Sequence, residues 1–160
     1  MSEENKILEA LTRPIQENEI EWRVSASKEV KILVVPYVDS RAVRGRLNEA
    51  FGVFGWESKY REVDGGFICA LSVYDESTWI AKEDGANKTK IEPIKGGISD
   101  SLKRAAVNFG IGENLYNYPS VWIHTNNKYI PNWAKVKLNN LVKWLNEGNN
   151  KDVVILKQNG

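Results

Sequence analysis

A chain of 160 residues with 42% hydrophobic and 27% charged side chains is long enough for one buried core and has an ordinary globular composition. One cysteine, Cys69, and one histidine, His124, exclude an internal disulfide and leave structural zinc without its usual ligand set. A net charge of +1 requires any cationic surface to be local, and the charged start and absence of an apolar run of about 20 residues predict a cytoplasmic protein without membrane segments.

Residues 3–12 are expected to form a short helix with Ile7, Leu8 and Leu11 on one face, stopped by Pro14. Segments 20–25 and 31–38, rich in aromatic and β-branched side chains, read as strands. Asp39 is placed to cap a helix running to Phe51, with Val43, Leu47, Ala50 and Phe51 as its stripe and Gly52 as its stop. Strands are expected at 56–63, 66–74 and 78–82, with Asp64-Gly65-Gly66 as a hairpin signal. In the middle strand both alternating sets are mostly apolar, which predicts a central strand covered on both faces. Residues 84–97 read as a mobile loop.

The text KGGISDSLKRAAVNFGIG then gives a helix whose core face is Ile94, Ile98, Leu102, Ala105 and Phe109. Arg104 lies opposite that face and Lys103 on its flank, while Asp100 stands four residues before Arg104, within reach of an ion pair. Strand-like pieces around Val121–Ile123, a last helix from Asn132 to Asn146 and the edge-strand candidate DVVILK complete the chain. Adjacent antiparallel strand groups make the class α+β: a hairpin plus a three-stranded meander packed with helices. The expected organisation is an N-terminal helical segment 1–18, a core domain 19–125, and a C-terminal helix with a short strand, 126–160.

No GxxxxGK[ST], GxSxG or HExxH motif is present. No catalytic residue, cofactor or metal is therefore assigned. Asp84, Glu92 and Lys95 form a loose nuclease-like trio, interrupted by Pro93. Positive charge clusters as Arg41, Arg44 and Arg46, and as Lys88, Lys90, Lys95, Lys103 and Arg104, the residue types that hold phosphates. Six Trp and six Tyr could supply base-stacking faces, but Phe54, Trp56 and Tyr60 read as core, Trp79 as core or subunit interface, and Trp133 and Trp144 as packing. Trp22, beside Arg23, stays open between the two roles, Arg46 is expected to snorkel near the buried stripe, and Cys69 and His124 read as structural.

The stretches YVDSRAVRGRLNEAFGVFGWESKY, GGFICALSVYD, TWIAKEDG and KGGISDSLKRAAVNFGIGENLY together resemble the Rad-fifty-two family of single-strand annealing proteins, closest to its small phage and bacterial Sak and DdrA-like members. The resemblance runs from Ile20 to Trp122. It implies ATP-independent binding and annealing of single-stranded DNA in recombination and repair, by a ring or helical homo-oligomer that is phage- or prophage-encoded. It implies that Lys103 and Arg104 line a phosphate groove joined by Arg41, and that Lys88, Lys90 and Lys95 are candidates for a second DNA site; Arg44, which can project together with Arg41, is expected to add to the groove. Val107 stands where some members carry a further arginine. A single-strand binding protein or an exonuclease are candidate protein partners. The alternatives are a DNA- or RNA-binding protection module without annealing activity, and a metal-dependent nuclease using Asp84 and Glu92.

Overall fold

Residues 2–159 are described by a computed structural model. In chain order they form α1 (Glu3–Thr12), β1 (Ile20–Lys28), β2 (Lys31–Val38), α2 (Ser40–Phe51), β3 (Trp56–Val63), β4 (Gly66–Asp75), β5 (Thr78–Asn87), α3 (Pro93–Val107), β6 (Ser120–His124), α4 (Asn132–Asn146) and β7 (Val153–Leu156), with 3-10 turns at Glu17–Glu19 and Glu113–Asn117. Helix starts are set by capping chemistry. The Ser2 hydroxyl accepts from the Asn5 backbone N–H, and the Asp39 carboxylate from that of Arg41 at 2.7 Å. Pro93 occupies the first turn of α3, where a missing N–H costs nothing.

The chain folds into two compact units. One holds the residues up to Arg13 together with Asp39–Glu113; the other holds Pro14–Val38 and Asn114 onward. This division cuts across the expected boundaries at 18 and 125, because the β1–β2 hairpin joins the C-terminal elements in the second unit and α1 joins the first.

In the first unit β3, β4 and β5 form an antiparallel meander in that order. The two-residue connection between β4 and β5 is Glu76-Ser77, both at positive φ, as a right-twisted hairpin requires. Helix α3 packs on β4 and β5, and α1 packs on α2. Phe67, Cys69, Leu71 and Val73 of β4 are buried on the face toward α3. The opposite set, Ile68, Ala70 and Ser72, is only half-buried and Tyr74 is exposed. The central position of β4 is as expected, but cover on both faces is not: the far face carries Lys59, Arg61 and Glu83, and Arg61 forms a fork to Glu83 at 2.8 and 3.3 Å. Strand β5 continues through Asn87, so the expected loop 84–97 contracts to 88–92.

The second unit is a four-stranded sheet in the order β1-β2-β6-β7. The first two pairings are antiparallel, whereas β7 pairs parallel to β6. Helix α4 covers one face: Ala134, Leu138 and Leu141 pack with Ile32, Val34, Val121 and Ile123. The α+β class is thus realised as two sheets, not one; the hairpin and the meander share no ladder. Among the described residues no helix is long and apolar enough to cross a membrane.

Candidate nucleic-acid interface

Helix α3 explains its own glycines. A Cβ at Gly97 would sit 2.7 Å from the Phe67 ring, so glycine lets the first half of α3 lie directly on β4. Gly110, at φ +97, turns the chain out of the helix, a conformation that costs a residue with a side chain. Between them Leu102, Ala105 and Ala106 are buried, and the Ser101 hydroxyl, also buried, donates to the Ile98 carbonyl. Ile94, expected in the core, is exposed because it lies in the first turn of the helix.

The two cations of the helix separate sharply. Lys103 is only 7% exposed, not on an open flank, and its ammonium lies 3.5 Å from the Asp100 carboxylate. The Arg104 side chain is 55% exposed and reaches the Asp84 carboxylate on β5 at 3.3 Å. Asp100 therefore pairs with Lys103, three residues away, and Arg104 finds its acid on the sheet instead. Asp84 Oδ1 also accepts the Gly85 backbone N–H at 2.8 Å, which fixes the carboxylate.

One row across the sheet connects this cation to another. Asp84 stands opposite Cys69, and Cys69 opposite Tyr60. Burial raises the Tyr60 hydroxyl pKa, and the Arg44 charge partly offsets it, so Arg44 stands within electrostatic reach of the row's far end. Burial likewise pushes the Cys69 thiol up to about 11. Two strand spacings put β3 and β5 about 10 Å apart. Lys82, two residues before Asp84 on the same face of β5, donates to the Asn108 carbonyl at 2.9 Å and lies over the Phe109 ring. It thereby meets the negative end of α3 and clamps it to the sheet.

The three arginines of α2 also part ways. Arg41 is 84% exposed beside the Asp39 cap, and Arg44 is exposed. Arg46 does not snorkel. It is 2% exposed and donates to the Arg13 and Ala10 carbonyls at the end of α1. In the connection before α3, Lys88 binds Glu62 at 2.7 Å, Lys95 lies 3.6 Å from Glu92, and Lys90 is exposed. The structure thus brings Arg104 together with Asp84, sets Lys82 against the end of the same helix, and holds Lys88 and Lys95 on separate acids.

Sequence reasoning passed over Lys82 because it lies in a strand with no basic neighbour. It also placed Phe54 in the core, yet Phe54 is 95% exposed in the α2–β3 connection; a Gly-Val-Phe-Gly loop was the available signal. Trp79 is exposed as well, close against Tyr74 at the meander tip. Of the nuclease-like trio, Asp84 faces Arg104 and Glu92 faces Lys95, and no group of three or more His, Cys, Asp or Glu among the described residues could hold a metal ion.

Residues 3–134 match the family model described as Rad52/22 family double-strand break repair protein. The chain is 29% identical over 116 residues to the single-stranded DNA-binding protein DdrA of Deinococcus radiodurans, covering 70% of this chain and 55% of that one. It is 27% identical over 137 residues to the DdrA protein of Deinococcus deserti, covering 78% of this chain and 68% of the relative. The chain thus spans little more than half the length of the first of these relatives. The family match takes in α1 through β6, including the whole helix that carries Lys103 and Arg104, and the chain belongs to the Rad52/22 family of double-strand break repair proteins.

Proposed function

We propose that this chain binds single-stranded DNA along the cationic face formed by α3, β5 and α2, and anneals complementary strands without ATP as a ring or helical oligomer. The observation that carries the reading is Arg104: exposed on α3, a helix within the family match, and oriented by Asp84, while Lys82 holds the end of the same helix. A fixed guanidinium offers a phosphate two parallel donors at little entropic cost. Arg44 and Arg41 extend the positive face along α2. Lys103 acts from beneath as a buried positive charge held by Asp100, and the lysines 88, 90 and 95 lie along the approach to α3.

Contacts confined to phosphates leave the bases free to pair, which annealing needs. Few cations per subunit make one copy a weak binder, and repetition around an oligomer multiplies them through effective concentration.

The test is the rate at which two complementary oligonucleotides pair, measured without ATP or magnesium. Acceleration is expected; binding that slows pairing would support a protection module instead. Arg104→Ala is expected to weaken single-strand binding with the fold retained, and to flatten the salt dependence by about 0.7 in log-log slope per lost phosphate. Lys103→Met, which keeps the buried stem, separates the buried charge from the fold. Unchanged affinity and salt slope in Arg104→Ala would remove the assignment, as would light scattering that finds an 18.2 kDa monomer which still anneals.

A further inference from the structure

A helix ends with more carbonyl groups than helical partners. At the end of α3 the chain's own turn takes several of them: the Asn108 N–H donates to Ala105, those of Phe109 and Ile111 to Ala106, and that of Gly110 to Val107. The Asn108 carbonyl accepts from the strand instead, from Lys82 Nζ at 2.9 Å. Asn108 is tied to β5 a second time, its side-chain amide donating to the Glu83 carbonyl at 3.3 Å. Three consecutive strand residues are thus committed to α3: Lys82 and Glu83 to its end, and Asp84 to Arg104. The Glu83 carboxylate is held on the opposite face by Arg61 at 2.8 Å.

The two charged ties are rungs of one ladder. Asp84 and Lys82 are two residues apart on the same face of β5, about 7 Å. Arg104 and Asn108 are four residues apart on α3, about 6 Å and close to one turn. The helix runs antiparallel to the strand, with Gly97 beside Lys88 and Asn108 beside Lys82, so the rungs match.

We propose that Lys82 is a positioning residue for the Arg104 phosphate site: it neutralises the negative end of α3 and fixes that end on β5, without itself touching DNA. The role rests on the reading of α3 as the phosphate-binding helix. A helix C-terminus carries about half a negative charge, and here it lies about one turn from the guanidinium. Left bare, it would repel the same phosphate that Arg104 attracts. Lys82 is directed to this end by two contacts, the carbonyl and the half-buried Phe109 ring, whose centroid is 4.9 Å from Nζ. An ammonium committed in this way releases no counterion when DNA binds, so its loss should change affinity without changing the salt slope.

The experiment measures binding of the whole chain to a labelled oligothymidylate across a salt series, for wild type, Lys82→Met, Lys82→Arg and Arg104→Ala. Native-state amide exchange of residues 108–111 is followed in parallel without DNA. Lys82 is exposed, so the folded state should survive both of its substitutions. Lys82→Met is expected to weaken binding about two- to fivefold at low salt, to keep the wild-type slope, and to speed exchange at the helix end; Lys82→Arg should restore all three. A slope flattened by about 0.7 in Lys82→Met would make Lys82 a phosphate ligand and overturn the proposal. Unchanged affinity in Lys82→Met, or no rescue by Lys82→Arg, would overturn it as well. Unchanged exchange, with Arg104→Ala still impaired, would remove the latch and leave the α3 reading standing. Normal binding by Arg104→Ala, with exchange still quickened in Lys82→Met, would remove the α3 reading and leave Lys82 with a structural part alone.

Discussion

Replacing Arg46 by alanine is expected to destabilise the protein by about 3–5 kcal/mol, although the residue touches no candidate DNA contact. The guanidinium donates to the Arg13 carbonyl at 2.5 Å and more weakly, at 3.5 Å, to that of Ala10. These carbonyls belong to the end of α1, where helical partners run out and where α1 has no basic side chain of its own in the last turn. A charge-assisted hydrogen bond of this kind contributes about 1.5–3 kcal/mol. Truncation also strips two buried methylenes, Cγ and Cδ, at about 0.8 kcal/mol each. Arg46→Met retains the stem, so it should cost only the hydrogen-bond share. Urea denaturation followed by circular dichroism, at one protein concentration, measures both. An alanine variant within about 1 kcal/mol of wild type, or a methionine variant as unstable as alanine, would refute the reasoning. The folded methionine variant should bind single-stranded DNA normally, whereas Arg41→Ala and Arg44→Ala should weaken binding without loss of stability.

Gly97→Ala places a methyl group 2.7 Å from the Phe67 ring, which is itself buried and cannot swing clear. The better helix propensity returns about 1 kcal/mol while overpacking costs about 1–3, so a lower melting temperature and weaker single-strand binding are expected; a variant stabilised by the full propensity gain would contradict the close approach. Cys69 should resist iodoacetamide at pH 8: with its thiol at about 11 against an ordinary 9.0, the thiolate is about 100-fold scarcer than in the unfolded chain. Because folding raises this pKa, the stability the thiol contributes is present below about pH 9 and is lost as pH climbs through about 11. Labelling of the native protein as fast as in urea would rule out the burial argument.

Local chemistry made much of this legible from the residues. Asp39 and Gly52 bound α2, Asp64-Gly65-Gly66 turns the hairpin, and the spacing of Leu102, Ala105 and Ala106 sets the buried face of α3. The failures share a cause: each depended on which element lies opposite. Nothing in the order of residues says that Arg104 meets Asp84, twenty positions earlier, or that Lys103 is covered. Arg46 has the same composition of neighbours as Arg44, and only the docking of α1 makes it an interior residue. Phe54 looked like core because large aromatics usually are, yet its loop stands clear. The parallel pairing of β7 was out of reach for the same reason, since β6 and β7 are joined through a helix.

The interleaving of the two units bears on where the gene can be cut. The family match stops at residue 134, within the first turn of α4. A fragment trimmed to that match would discard Leu138, Leu141 and Val142 together with β7, baring Ile32, Val34, Val121 and Ile123 and opening a strand edge on β6. Such a fragment keeps the whole sequence signature and the whole candidate DNA helix, and is expected to precipitate. The recognisable part of this protein and the part expected to fold alone are different lengths of chain.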